Sequence, residues 1–449
     1  MIKDVKFQNI LKFSIYFLFT GILLFSRSFV GVSIFGFRIG EVLIALSVPL
    51  SLVFLFIPKE KFTKFTNLSS SFFYTHKLLI LCFFISLLIN QHFPNSVYFF
   101  KSSSIIWVLI YLYIGIFISK QNIFDVNATY YFWFVLILQY FLATTIGTFP
   151  YIGLYPEFLN EFFQNYSDKV EPIKSSNLLM ALIFINHLIY VNVKNNKVLI
   201  FGYLFNISLI FPLLAFNSRG SVLFCLIYAI HSLYYLRSQI FENKLFTSAT
   251  LLLCGFVFFT STVWIFGEFN IQTREGVAEI SEEVVTSTQT AIQRKNYDPT
   301  TFMSFYYLDG RVYSLDGTTD WRLDIWQDSI DYQLENNQFL FGVGYDDLLA
   351  IMNDPEEPGR YGYDGLNEHV HNYLITVLAR GGLLLLLVTS AFWVLLLYNY
   401  KKIKGSFYIL VLIIPPFLNS LIDVAMESVQ FPVVYLTLLG LSFKNQYKE

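Results

Sequence analysis

The chain has 449 residues, of which 55% are hydrophobic and 14% charged, with a formal net charge of −2. Soluble domains carry about 25% charge and nucleic-acid binders show a basic excess, so the composition argues against soluble domains and excludes a broadly basic nucleic-acid surface. Fifty Phe and thirty Tyr suit helices that face lipid and aromatic belts at the membrane interface.

A helix that crosses the hydrocarbon layer needs about 20 mainly apolar residues. Twelve runs fit, at 10–26, 39–57, 78–93, 103–119, 128–149, 177–193, 198–216, 220–236, 246–266, 377–398, 406–422 and 428–443, with 78–93 among the shortest. The first run follows Lys3, Lys6 and Lys12 as a signal peptide would. No small-residue cleavage site follows it, so it is expected to remain as the first span. The runs do not alternate polar and apolar residues as barrel strands do. Cys82, Cys225 and Cys254 all fall inside apolar runs and are expected as small buried hydrophobes. His187, His231, Asn186 and Asn206 also fall inside runs and are expected to bond between helices.

Lysine and arginine set the orientation. With the N-terminus in the cytoplasm, the inner segments hold 17 Lys and Arg and the short outer segments hold 6. The positive-inside rule then keeps both termini in the cytoplasm and puts the long segment after the ninth run outside. Three parts are expected: spans one to nine over 1–266, an outer loop over 267–370, and spans ten to twelve over 371–449.

The outer loop differs in composition from its surroundings. Residues 273–294 are polar, with Val277, Ile280, Val284 and Ala291 at near-helical spacing, and suggest a surface helix. Residues 295–320 read as irregular. A second helix is expected from Asp320, capped by Thr318, Thr319 or Asp320, with Leu323, Trp326, Ile330 and Leu334 on its apolar face. Gly342 and Gly344 interrupt the chain, and residues 353–365 form a Pro- and Gly-rich loop.

Arg219, in the tight break Asn217-Ser218-Arg219-Gly220-Ser221 at the outer surface, is the most informative single residue. An arginine this close to hydrocarbon needs a partner or a pathway role, or else snorkels to lipid phosphates. Arg322 lies on the loop helix, where it is expected to bind a phosphate bidentately or to pair with Asp324, Asp328 or a nearby acid; Arg311 and Arg360 are weaker candidates of the same kind. His371 is the candidate base, with Asn372 beside it to orient it or a substrate; the alternative is a histidine simply resting at the interface. The spacing of His369 and His371 matches no common zinc pattern, so no metal is expected. Asp423 and Glu427 occupy the last outer turn, where they either touch the site or, as favoured here, are solvated.

These residues fall into a familiar order. Asn217-Ser218-Arg219-Gly220 opening a span, Arg322 with Trp326 followed by Gly342 and Gly344, and His371-Asn372 followed by Gly381-Gly382 together resemble the motifs of the O-antigen ligase and O-antigen polymerase superfamily. The motifs cover roughly 217–395. The departure is Ala379-Arg380, standing where the family often has an acid. The resemblance implies an all-α polytopic membrane protein: a GT-C-like bundle of about twelve helices with one large, mostly helical periplasmic loop between spans nine and ten. It implies a glycosyltransferase of the bacterial inner membrane that moves a glycan from undecaprenyl diphosphate to an acceptor hydroxyl outside the cytoplasm. The acceptor is lipid A-core for a ligase and another lipid-linked unit for a polymerase. His371, Arg219 and Arg322 are the expected catalytic residues. Asn372, Arg311, Arg360, Trp326, Gly342 and Gly344 are the expected substrate-binding residues, and no cofactor is implied. The alternative is a multi-span transporter, a flippase or a bicarbonate-type carrier, which calls for mid-membrane polar residues and inverted repeats. The sequence has the first only as scattered Asn and His, and lacks the second.

Overall fold

The structure, a computed structural model, describes residues 2–90, 97–145, 157–167, 173–266, 304–345, 349–353 and 369–443. The expected helix over 273–294, the loop over 354–365 and Arg360 lie outside the described residues. Apolar length dictates the architecture. In hydrocarbon every backbone polar group must bond within its own segment, which leaves helices as the spanning element for a chain patterned like this one.

The first half contains α1 (Ile2–Phe25), α2 (Arg27–Gly31), α3 (Ile39–Phe56), α4 (Lys59–Thr66), α5 (Ser70–Asn90), α6 (Val97–Ser102), α7 (Ser104–Trp107), α8 (Ile110–Lys120), α9 (Val126–Thr145) and α10 (Glu157–Tyr166). Next come α11 (Ser175–Asn192), α12 (Asn196–Asn217), α13 (Arg219–Glu242) and α14 (Lys244–Phe266). The outer segment contributes α15 (Gly317–Glu335), and the chain closes with α16 (Tyr373–Lys404), α17 (Ile409–Asn419) and α18 (Gln430–Leu441).

Among the described residues nine helices are long and apolar enough to cross a membrane, and three shorter apolar segments, Ser104–Lys120, α17 and α18, accompany them. All twelve expected runs fall on these helices. The protein is thus an all-α polytopic membrane protein, and among the described residues its strands are confined to two small hairpins. One joins β1 (Ser33–Ile34) to β2 (Phe37–Arg38), and the other joins β3 (Phe305–Leu308) to β4 (Arg311–Ser314). The second lies in a stretch expected to be irregular.

The core is apolar; α11 is the most enclosed of the nine long helices, and every residue of α18 is buried. Of the four polar residues expected to bond between helices, Asn186, Asn206 and His187 do so, while His231 Nδ1 is buried without a hydrogen-bond partner among the described residues. Asn206 Nδ2 donates to Asn186 Oδ1 at 2.8 Å, Trp133 Nε1 donates to Asn206 Oδ1 at 2.7 Å, and His187 Nδ1 lies 3.3 Å from the Tyr408 hydroxyl. The three cysteines are buried thiols.

The outer segment is fixed to the bundle by its backbone. α16 kinks at Gly382, which has φ +70°. The kink frees carbonyls and amides that a straight helix would use internally, and residues 339–344 bond to them. Val343 N donates to Ala379 O at 2.8 Å and Gly344 N to Arg380 O at 3.1 Å. In return Leu383 N donates to Phe339 O at 2.8 Å and Leu384 N to Leu340 O at 3.2 Å. Helix α5 holds the other side: Ser86 Oγ donates to Phe341 O at 3.1 Å and Asn90 Nδ2 to Gly342 O at 3.3 Å. Buried Arg380, standing where the family often has an acid, donates to Gly344 O at 3.2 Å and to the Tyr98 hydroxyl at 2.8 Å.

Only glycine fits at this crossing. A Cβ on Gly342 would lie 2.5 Å from the Arg380 carbonyl, and one on Gly382 would lie 2.3 Å from the Leu340 carbonyl. Both sit at positive φ. Gly342→Ala and Gly382→Ala should each destabilise the protein by about 2–4 kcal/mol, the sum of a left-handed penalty and an overpacked contact. Thermal unfolding in detergent checks this; an unchanged melting temperature would mean that the crossing does not hold the outer segment.

Candidate active site

Helix α15 carries the outer half of the site. It begins at Gly317, earlier than expected, because Asp316 is its cap: Asp316 Oδ1 accepts from Thr319 N at 2.9 Å and from Thr319 Oγ1 at 3.0 Å. The other carboxylate oxygen of Asp316 pairs with Arg219 Nη1 at 3.0 Å. One acid therefore fixes both the helix bearing Arg322 and the arginine at the start of α13. The buried face of α15 also differs from expectation. Ile325, Ser329 and Gln333 are buried, while Leu334 is 55% exposed. Ile325 packs with Leu349, Met352 and Val370, with Trp321 and Trp326 at the edge of the same cluster.

This rotation turns Arg322 inward. It is half-buried, and its Nε is buried without a hydrogen-bond partner among the described residues. Burial pulls the guanidinium's pKa down, and the carboxylates of Asp423 and Asp316 oppose that shift. Asp324 and Asp328, the acids considered for Arg322, instead engage Arg311: Asp324 Oδ1 lies 3.5 Å from its Nη2, and Asp328 accepts a closer bond. Arg311 thus ties β4 to the outer face of α15, apart from Arg322.

His371 ends the outer segment one residue before the cap of α16. Its backbone is left-handed, with φ 57°, a conformation uncommon for any residue but glycine and frequent at functional sites. Trp321 packs edge-on against its ring at a centroid distance of 5.2 Å. Trp326 Nε1 donates to the Val370 carbonyl at 2.7 Å and so fixes the approach to His371. Asn372 is the helix cap, its Oδ1 accepting from Leu374 N at 3.0 Å and Ile375 N at 3.1 Å. Trp326 and Asn372 therefore position His371, and Gly342 and Gly344 are engaged in the crossing on α16.

The electrostatics join these groups. Burial, the Arg322 charge and the more distant Lys174 and Arg27 lower the His371 pKa to about 3, with Asp423 opposing them. Asp423 would rise through burial, but Lys174, His371 and Arg322, with a hydrogen bond from Ser176, hold it below the usual carboxylate value. His369 is pushed well below neutrality by burial, Lys101 and Arg27. Arg219, Asp316, Arg322, Asp423 and His371 thus form one continuous charge cluster. The three residues singled out as catalytic candidates are brought into it; Arg311 stands outside it.

Asp316 was not singled out from the sequence, and Asp423 and Glu427 were favoured as solvated. Asp423 is half-buried rather than solvated, and Glu427 is only 4% exposed. Thr376 Oγ1 donates to Glu427 Oε1, while its Oε2 is buried without a partner among the described residues. The only sequence signal for either acid was its presence in a short turn of an otherwise apolar region. For Asp316 the signal was a cap residue three positions before Thr319.

Residues 204–390 match the family model described as O-antigen ligase. That match supports the O-antigen ligase and polymerase superfamily. The matched stretch runs from within α12 through Arg219, α15 and His371 into α16, so it covers most of the charge cluster. It points to a membrane glycosyltransferase acting in polysaccharide synthesis with lipid-linked glycan and acceptor partners. No curated protein matches the chain.

Burial raises the Glu427 pKa to about 8. The folded state then holds a proton that the unfolded chain releases near its ordinary value of 4.5. Stability is fully present below that value and is lost as pH rises toward 8. Glu427→Gln, which keeps the neutral form, should melt increasingly above the wild type as pH is raised from 5 to 8. A difference that does not change with pH would show that Glu427 is already ionised in the folded protein.

Proposed function

We propose that the protein transfers a glycan from a polyprenyl diphosphate to an acceptor hydroxyl at the outer face of the inner membrane. The reading extends the twelve helical segments to twelve spans, with both termini cytoplasmic and the segment after α14 outside. It divides the chain at 1–266, 267–370 and 371–449. The unequal distribution of Lys and Arg supports this sidedness.

The observation that carries the reading is the cluster of Arg219 and Arg322 with His371 and Asp423. Undecaprenyl diphosphate is the expected donor, its two phosphates lying against Arg219 and Arg322. Guanidinium groups keep their charge and bind phosphate oxygens in pairs. Asp316 holds Arg219 in place before the donor arrives. Burial, together with the positive field of Arg322, keeps His371 neutral. A bound diphosphate counters the Arg322 field and raises the imidazole pKa from its lowered value, so basicity increases when the donor is present. His371 then takes the acceptor's hydroxyl proton, and Asp423 stabilises the imidazolium. The acceptor oxygen forms a bond to the anomeric carbon, and the carbon–oxygen bond to the diphosphate breaks, its electron pair leaving with the phosphate. Displacement from the opposite face inverts the anomeric centre. The arginines supply the charge stabilisation that a metal ion gives elsewhere, so the step is metal-independent.

Removing one such donor should lower transfer by about 10²–10³-fold, and removing the base by about 10²–10⁴-fold. Purified Arg219→Ala, Arg322→Ala and His371→Ala proteins should therefore lose transfer while keeping the wild-type melting profile. Wild-type rates in Arg219→Ala or His371→Ala would remove this mechanism. Gel profiles of surface glycans from a deletion strain separate the two acceptor classes. A polymerase leaves chains collapsed to one repeat, a ligase leaves long chains unattached to the lipid core, and unchanged glycans favour the transporter.

A further inference from the structure

A second feature lies beside the charge cluster, lined mostly by residues that precede the family match. A cavity of about 700 Å³ runs between α3, the β1–β2 hairpin and the turn that leads into α18. That volume is in the range of a built ligand site, about 300–1,000 Å³. Its long wall is apolar. Val42, Ala45, Leu46 and Pro49 line it at helical spacing on one exposed face of α3. Its mouth is polar and mainly cationic: Arg27, Arg38 and Lys101 line it together with His369 and Glu427, and Glu41 bonds to Arg38.

The cavity is lined at this end by His369, two residues before His371, and by Glu427, four residues after Asp423. The hairpin at its rim carries Ile34, Phe35 and Phe37, which are 50%, 97% and 62% exposed. Exposed aromatic and aliphatic tips of this kind suit the level of the lipid headgroups. An apolar wall open along a helix face, ending in three cations, is complementary to a molecule with a long apolar chain and a phosphate headgroup.

We propose that this groove binds a phosphate-bearing lipid that enters sideways from the bilayer, its chains along α3 and its headgroup at Arg27, Arg38 and Lys101. On the proposed transfer reaction, on which only this assignment rests, the bound lipid carries the acceptor hydroxyl. The acceptor then reaches His371 past His369, while the donor diphosphate approaches from the side of Arg219.

Native mass spectrometry of the purified full-length protein tests this with two lipids that share their chains, dioleoyl phosphatidic acid and dioleoylglycerol. A charge-assisted headgroup contact is worth about a tenfold difference in affinity or more, so phosphatidic acid should bind the wild type about tenfold more tightly than dioleoylglycerol. Lys101→Gln and Arg27→Gln should remove most of that preference. Ala45→Phe, which fills the groove from α3, should weaken both lipids; Val42→Phe serves the same purpose if the first variant does not fold. Equal binding of the two lipids, or unaltered binding to a folded groove-filling variant, would overturn the proposal. So would displacement of the lipid by millimolar inorganic phosphate, the mark of a free-phosphate site. His371→Ala should bind phosphatidic acid as the wild type does. If binding holds while transfer is unaffected in His371→Ala, the catalytic reading fails and the groove stands.

Discussion

The crossing of residues 339–344 over the kink at Gly382 is the constraint on which the site depends. An outer segment of about a hundred residues has no reason to hold one orientation on a membrane bundle unless something fixes its register. Here the fixation is by backbone hydrogen bonds in both directions between the segment and α16. Backbone bonds of this kind set register to the residue, and buried backbone groups left unpaired would be costly. Because α16 begins directly after His371, the element that anchors the outer segment also carries the candidate base. The distance from the crossing to α15 is short in sequence, so the position of Arg322 follows from the same anchor.

Charge balance then explains why so many ionisable groups can lie at one end of an apolar bundle. Asp316 is shared between a helix cap and Arg219, and Asp423 lies among Lys174, Arg322 and His371. Each acid therefore faces more than one positive group. Burial and the excess of positive charge together depress both His369 and His371. An anionic substrate meets that excess, and its arrival changes the protonation of the groups it contacts.

Much of the fold could be read from the sequence. Among the described residues each apolar run falls on helix, one of them (103–119) on two, because the thickness of the hydrocarbon layer and the need to satisfy the backbone leave few alternatives. The motif residues Arg219, Arg322 and His371 could be read too, from residue type and order. What could not be read was set by tertiary packing. The buried face of α15 follows Ile325, Ser329 and Gln333, since that helix packs on Leu349, Met352 and Val370 and leaves Leu334 outside. Periodicity alone pointed to the larger apolar residues. Gly342 and Gly344 looked like a substrate loop and form the crossing, because the partner of each glycine lies about forty residues away on α16. Asp423 and Glu427 looked solvated because short turns usually are, and here the outer segment closes over the turn.

The central claim is that Arg322 and His371 act within one site on one transfer step. The most direct test is a double-mutant comparison of single-turnover transfer, using purified protein and a lipid diphosphate-linked glycan, for Arg322→Ala, His371→Ala and the double variant. Groups that act as a unit are strongly non-additive. The double variant should therefore lose little more than the more damaging single change. Losses that multiply would contradict a shared site, as two independent contributions require.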